Sequence, residues 1–152
     1  MANYTIAINE CKFVYFLSLL YEVKLRLINF GGSDGYHVIG LLKNSHFEKG
    51  LIFEKDNKNI EYLYENIQLN NIKSNIFLKK ESNFKKIKEY FDDDEMSKTL
   101  YLIDIEGEEY NIINKNNLEH YKKSILIIED HNFLIDDEKK KIRFFEKFKT
   151  KF

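Results

Sequence analysis

Two acidic clusters are the residues of this sequence best suited to chemistry. One is Asp104-Ile105-Glu106-Gly107-Glu108-Glu109, closing an apolar run; the other, Glu129-Asp130-His131-Asn132, closes a second. Alternation along an extended strand puts Asp104 and Glu106 on the same side. If the two runs are neighbouring strands, they gather several carboxylates and one imidazole in a small volume. Such a set can remove a proton or hold a divalent cation through oxygen ligands. Mutual hydrogen bonding and helix capping are the other use of these residues, but so many acids repel one another without a partner, which favours a functional reading. Further upstream, Asn29-Phe30-Gly31-Gly32-Ser33-Asp34-Gly35 follows an apolar run. Glycines there permit a tight turn and close approach to a ligand, and a following helix start offers free N–H groups; an ordinary strand-to-helix turn would use the same residues. Glu54 ends the next apolar run. An acid about twenty residues after a glycine loop can accept hydrogen bonds from both ribose hydroxyls, or be a charge where a strand exits to solvent. Taken together, loop and acid point to a nucleoside-containing cofactor. The glycine spacing departs from the G-x-G-x-x-G pattern of dinucleotide sites, which argues against a nicotinamide cofactor.

The elements that must position these residues alternate along the chain. Apolar residues at helical spacing predict a helix over 11–22, and residues 25–30 read as a strand running into the glycine loop. Ser33 or Asp34 is placed to cap a helix through Leu42, with Val38, Ile39, Leu41 and Leu42 inward. A strand over 50–54 precedes a helix over 57–70 with Ile60, Leu63, Tyr64 and Ile67 on one face. Residues 75–79 form a weaker strand, 84–91 a helix, and the acidic run 92–95 a turn. A strand over 99–105, a helix near 108–113, a strand over 124–129 and a closing helix over 136–148 complete the pattern. Strands apolar on both faces, alternating with helices, predict an α/β three-layer α/β/α sandwich with a mainly parallel sheet. No repeat or linker divides it. The chain reads as one domain over 1–152: an N-terminal helical segment over 1–23, a core over 24–133 and a C-terminal helix over 134–152.

Composition narrows the function. With 24 basic and 25 acidic residues the formal charge is −1, so nothing marks nucleic acid or an anionic membrane as the main partner. Lysine-rich stretches at 79–80, 85–88 and 139–151 are interleaved with acids or lie on helix faces and read as solvated surface. The single Cys11 excludes an internal disulfide and a cysteine-based zinc site. The apolar run over 13–21 is about half a membrane span and lacks the flanks of a signal peptide, so a cytoplasmic protein is expected. His37, His46 and His120 read as structural or surface residues.

Four motifs in order resemble the FkbM-type methyltransferase family. Asp104-Ile105-Glu106-Gly107-Glu108-Glu109, a helix, then Ile127-Ile128-Glu129-Asp130-His131 is similar to its Asp-x-Glu-Gly-x-Glu stretch and the later strand ending in Glu-x-His. Asn29 to Tyr36 resembles its first motif, of Asp-x-Gly-Ala-Asn-x-Gly-Tyr type. Phe53-Glu54-Lys55-Asp56, followed by Glu65-Asn66-Ile67-Gln68-Leu69-Asn70, resembles its Phe-Glu-Pro-Asp and Glu-Asn-x-x-x-Asn segments. The resemblance covers residues 25–133 and implies a class I, Rossmann-like methyltransferase fold with S-adenosylmethionine as cofactor. Methyl transfer would go to an oxygen of a sugar or other small molecule. It places Gly31, Ser33 and Gly35 around the methionine part, with Asn29 where many members carry an acid towards the amino group. Glu54 would hold the ribose and Glu81 and Ser82 lie near the adenine. Asp104 and Glu106 would border the methyl group, and Glu129 and His131 the acceptor. His131 is the expected base, with the three acids orienting the acceptor or a divalent cation. The family fold normally adds two further strands beyond the one over 124–129. Without them that edge is expected to be open, a liability unless a partner chain covers it. An inactive cofactor-binding module for protein interaction and a dehydrogenase are the rival readings.

Overall fold

The computed structural model describes residues 5–7, 25–44, 47–73, 75–81, 84–96, 99–113, 117, 121 and 124–149. The helix expected over 11–22, Cys11, His46, Ser82 and His120 lie outside the described residues.

Among the described residues six strands share one sheet: β1 (Thr5–Ala7), β2 (Leu25–Phe30), β3 (Phe47–Phe53), β4 (Asn75–Lys79), β5 (Thr99–Ile103) and β6 (Ile125–Ile128). Their order is β1-β6-β5-β2-β3-β4, and every neighbouring pair is parallel. The described helices are α1 (Tyr36–Asn44), α2 (Asn57–Leu69), α3 (Phe84–Ile87), α4 (Asp93–Met96), α5 (Glu109–Ile112) and α6 (Glu138–Lys149), with a 3-10 turn at Asn132–Leu134. None of them is long and apolar enough to cross a membrane.

Alternate residues of each strand serve opposite layers, as the two-residue strand period requires. Leu27, Leu100 and Leu102 meet Val38, Ile39 and Leu42 of α1 and Leu63 of α2 on one face. Ile28, Phe30, Tyr101 and Ile103 meet Ile87 of α3, Met96 of α4, Tyr110 of α5 and Phe144 of α6 on the other. β5 is therefore buried along its whole length. This is the three-layer α/β/α arrangement that the apolar runs predict.

The structure also departs from expectation in four places. The acidic run read as a turn carries α4, because Asp92 and Glu95 cap each other: Glu95 N–H donates to Asp92 Oδ1 at 2.7 Å and Asp92 N–H to Glu95 Oε2 at 3.0 Å. The helix expected over 84–91 is regular only through Ile87 and continues as a turn, with Tyr90 N–H bonded to the Ile87 carbonyl. Tyr64, expected inward, is 53% exposed. The edge beyond β6, expected to be open, is occupied by β1, whose Thr5, Ile6 and Ala7 pair with Leu126, Ile127 and Ile128.

Candidate active site

From β2 the chain moves outward through β3 to β4, then returns to place β5 on the other side of β2. Strand order reverses between β2 and β5, and open parallel sheets bind ligands in the crevice beyond such a reversal. Asn29 and Leu102 are paired across it, as are Phe30 and Ile103. Beyond their ends lies a hollow of about 150 Å³ lined by the glycine loop from Gly31 to Asp34, with Asn29 and Asp104 at its base.

The loop needs its glycines. Gly31 has φ +86°, and a Cβ there would stand 1.7 Å from the Asp104 carbonyl oxygen, so loop and β5 end approach closer than any side chain allows. Gly35 has φ +95°, and its Cβ would meet Leu63 at 2.5 Å; it turns the chain into α1 without lining the hollow. Ser33, also in the left-handed region at φ 47°, donates its N–H to Glu54 Oε2 at 2.7 Å. Asp34 Oδ1 accepts from Tyr36 N–H at 3.1 Å at the start of α1, and Asn66 of α2 donates to the Asp34 carbonyl at 2.8 Å. Asn66 of the Glu-Asn-x-x-x-Asn segment thus ties the loop to α2, while Asn70 bonds Lys43 of α1 at 3.0 Å.

Glu54, nearly buried at the end of β3, accepts from Ser33 N–H and, through Oε1 at 2.8 Å, from Asp56 N–H. Each oxygen keeps a lone pair for another donor. Asn29 is 1% exposed; its Nδ2 donates to the Leu102 carbonyl at 3.3 Å, while its buried Oδ1 has no hydrogen-bond partner among the described residues. A buried acceptor left bare is costly and marks a place where a donor is missing.

The two acidic clusters do meet, because β5 and β6 are neighbours. His131, 5% exposed, stands at their centre. Its Nε2 lies 3.5 Å from Glu106 Oε2, 3.7 Å from Asp104 Oδ1 and 4.0 Å from Glu129 Oε1. Its Nδ1 lies 3.2 Å from Glu109 Oε1, which also accepts the His131 N–H at 3.0 Å. Glu109 is wholly buried, and its Oε2 accepts from Gly107 N–H at 2.9 Å. A carboxylate only accepts, so Nδ1 carries a proton, and the lone pair of the neutral form of this imidazole belongs to Nε2. Burial, then the Glu129 charge beside it, pushes the Asp104 carboxyl up to about 6. No lysine or arginine among the described residues pairs with Asp104, Glu106, Glu109 or Glu129.

Of the residues singled out from sequence, Asn29, Gly31, Ser33 and Asp104 line the hollow, and Glu54 backs it. Glu106, Glu129 and His131 join Asp104 in the neighbouring cluster. His37, read as structural, also lines the hollow. Glu81 does not join either group: it is exposed and bonded to Lys86 at 2.9 Å, which holds its carboxyl below the usual range. Asp130 turns away, accepting from the Tyr110 hydroxyl at 2.5 Å and from Asn132 at 3.0 Å. Glu109 is the residue missed as a site member. It was visible only as the last acid of a motif, and nothing local distinguishes it from exposed Glu108.

Neither a protein-family model nor a curated protein matches the sequence. Solved structures do. A Klebsiella pneumoniae protein assigned as an O-methyltransferase superposes with a TM-score of 0.63 at 16% identity, over 94% of this chain and 67% of its own. The Bacillus cereus O-methyltransferase in complex with SAH gives 0.62 at 16% identity, over 90% and 66%. A Streptococcus pneumoniae protein assigned as a tRNA methyltransferase gives 0.52 at 14%, over 76% and 51%. The chain therefore spans between half and two-thirds of the length of these neighbours, and it has the Rossmann-like class I methyltransferase fold.

Proposed function

We propose that this chain is an S-adenosylmethionine-dependent methyltransferase of FkbM type, acting on a hydroxyl of a sugar or other small molecule. Asn29 carries the reading. Asn29 borders the hollow at the strand-order reversal and holds a buried, bare Oδ1, for which an ammonium group would supply the missing donor. At about 150 Å³ the hollow is smaller than the roughly 300–1,000 Å³ of a complete ligand site, and fits one end of a ligand. The glycine loop and Asn29 would hold the methionine end, and the free lone pairs of Glu54 would accept from the ribose hydroxyls. The four FkbM-like motifs and the class I fold support the same cofactor.

Bound S-adenosylmethionine supplies a methyl group on a sulfonium: the new C–O bond forms in line as the C–S bond breaks, leaving a neutral thioether. The chain's own task is to align the acceptor and take its hydroxyl proton. In the cation-free site that proton goes to His131 Nε2, which Glu109 keeps in the tautomer a base requires. Asp104, Glu106 and Glu129 surround that nitrogen and orient the acceptor. Calorimetric titration with S-adenosylhomocysteine tests the cofactor. Micromolar binding is expected, at least tenfold weaker in Glu54→Gln, a loss of about 1.4 kcal/mol or more. A folded sample that takes up none refutes the assignment.

A further inference from the structure

The lone pair that makes His131 a base is also what a metal ion needs, and its surroundings are arranged for one. Nε2 of this buried imidazole has no hydrogen bond among the described residues, and it is aimed into three carboxylates at 3.5–4.0 Å. One ligand atom each from Asp104, Glu106 and His131 lie within 4.8 Å of one another. Neighbouring ligands of an octahedral ion bound at roughly 2.1–2.2 Å stand roughly 3 Å apart, so these atoms need to draw in by under an ångström for most pairs. Glu106 can supply that movement, since its side chain is 78% exposed. Its backbone is held in the left-handed region at φ 54°, a conformation non-glycine residues keep mainly where the surroundings impose it. Behind the imidazole, Glu109 bonds Nδ1 from a fully buried position, the carboxylate–histidine arrangement that orients metal-binding imidazoles.

We infer that Asp104, Glu106 and His131 bind one divalent first-row cation, which receives the acceptor hydroxyl. Two carboxylates with an imidazole suit Mn²⁺ better than Mg²⁺, which prefers oxygen ligands alone. The inference rests on the methyltransferase reading and changes one role within it. With the cation in place His131 is a ligand, the cation eases loss of the hydroxyl proton, and Glu129, 4.0 Å from Nε2, accepts that proton.

The test is titration of Mn²⁺ into full-length, chelator-stripped protein, followed by calorimetry and by loss of the free-ion paramagnetic resonance signal. One ion per chain is expected, with Mg²⁺ at least tenfold weaker. Glu106→Gln, a change at an exposed side chain, weakens Mn²⁺ at least tenfold, and Glu109→Gln weakens it severalfold through the orientation of His131. No saturable binding up to about 1 mM, or equal affinity in wild type and Glu106→Gln, overturns the site. S-adenosylhomocysteine is titrated in parallel with chelator present. Its binding without Mn²⁺ binding removes the cation site and leaves the methyltransferase reading intact. Mn²⁺ binding without it supports the site and removes methyl transfer from it.

Discussion

Replacing Asn29 by leucine should leave the protein at least as stable while damaging its cofactor site. The two side chains are close in volume, so the change is chiefly chemical. Leucine loses the bond from Nδ2 to the Leu102 carbonyl, which at 3.3 Å belongs at the lower end of the roughly 0.5–1.5 kcal/mol such bonds contribute. It also removes the buried, partnerless Oδ1, whose desolvation costs about 1–3 kcal/mol. The net is a gain of about 1 kcal/mol, or a rise in Tm of about 2–4 °C. S-adenosylhomocysteine affinity should fall at least tenfold, because the acceptor for its amino group has gone. Urea denaturation and calorimetry on the same sample read both. A variant that loses more than about 1 kcal/mol, or binds the ligand as well as wild type, refutes the argument that this oxygen is held bare for a ligand.

Two further outcomes follow from the same site. Asp104 has a folded-state pKa near 6, above its ordinary value of 3.8, so the stability it contributes is fully present below about pH 4 and is lost as pH rises through 6. Asp104→Asn should therefore be the more stable protein at pH 7.5 in the presence of chelator, and lose that advantage at pH 4. Because a quarter of the side chain is exposed, the roughly 3 kcal/mol that two pKa units represent should shrink to about 1; equal stabilities at pH 7.5 by urea denaturation would contradict this. Gly31→Ala forces a Cβ to within 1.7 Å of the Asp104 carbonyl at a positive φ, and should cost about 3 kcal/mol or more. Circular dichroism melts check this, and a near-normal Tm would show that loop and β5 end are less tightly apposed.

The sequence was most legible where one local pattern matches one environment. Residues 25–30 and 75–79 are strands to the residue, because an apolar run bounded by polar residues has few other uses in an alternating chain. The inward side of α1 was equally plain: Val38, Ile39, Leu41 and Leu42 are all buried. β1 was not legible, because three residues of ordinary type become a strand only by pairing with β6. α4 carried a readable signal, the Asp92–Glu95 capping pair, that its acidity obscured. In the site, the adjacency of β5 and β6 is what brings Asp104, Glu106, Glu129 and His131 together; alternation is not, because the strand expected over 99–105 ends at Ile103 and Glu106 lies in a turn at φ 54°. Neither reveals that Asp130 turns away to Tyr110 or that Glu109 goes inward to His131, since both depend on which helix packs beneath.

The pairing of β1 with β6 also sets the order in which the molecule can be finished. Thr5 waits for Leu126, about 120 residues later in synthesis, so the outermost pairing is among the most non-local contacts of the chain. On the ribosome the core of β2, β3 and β4 can assemble while β1 has no partner to join. β1 thus docks only after β6 has emerged, and the strand it seals is the one that leads to Glu129 and His131. Assembly of the imidazole–carboxylate cluster is in this way coupled to synthesis of β6, and a nascent chain stopped before it would carry the glycine loop without Glu129 and His131.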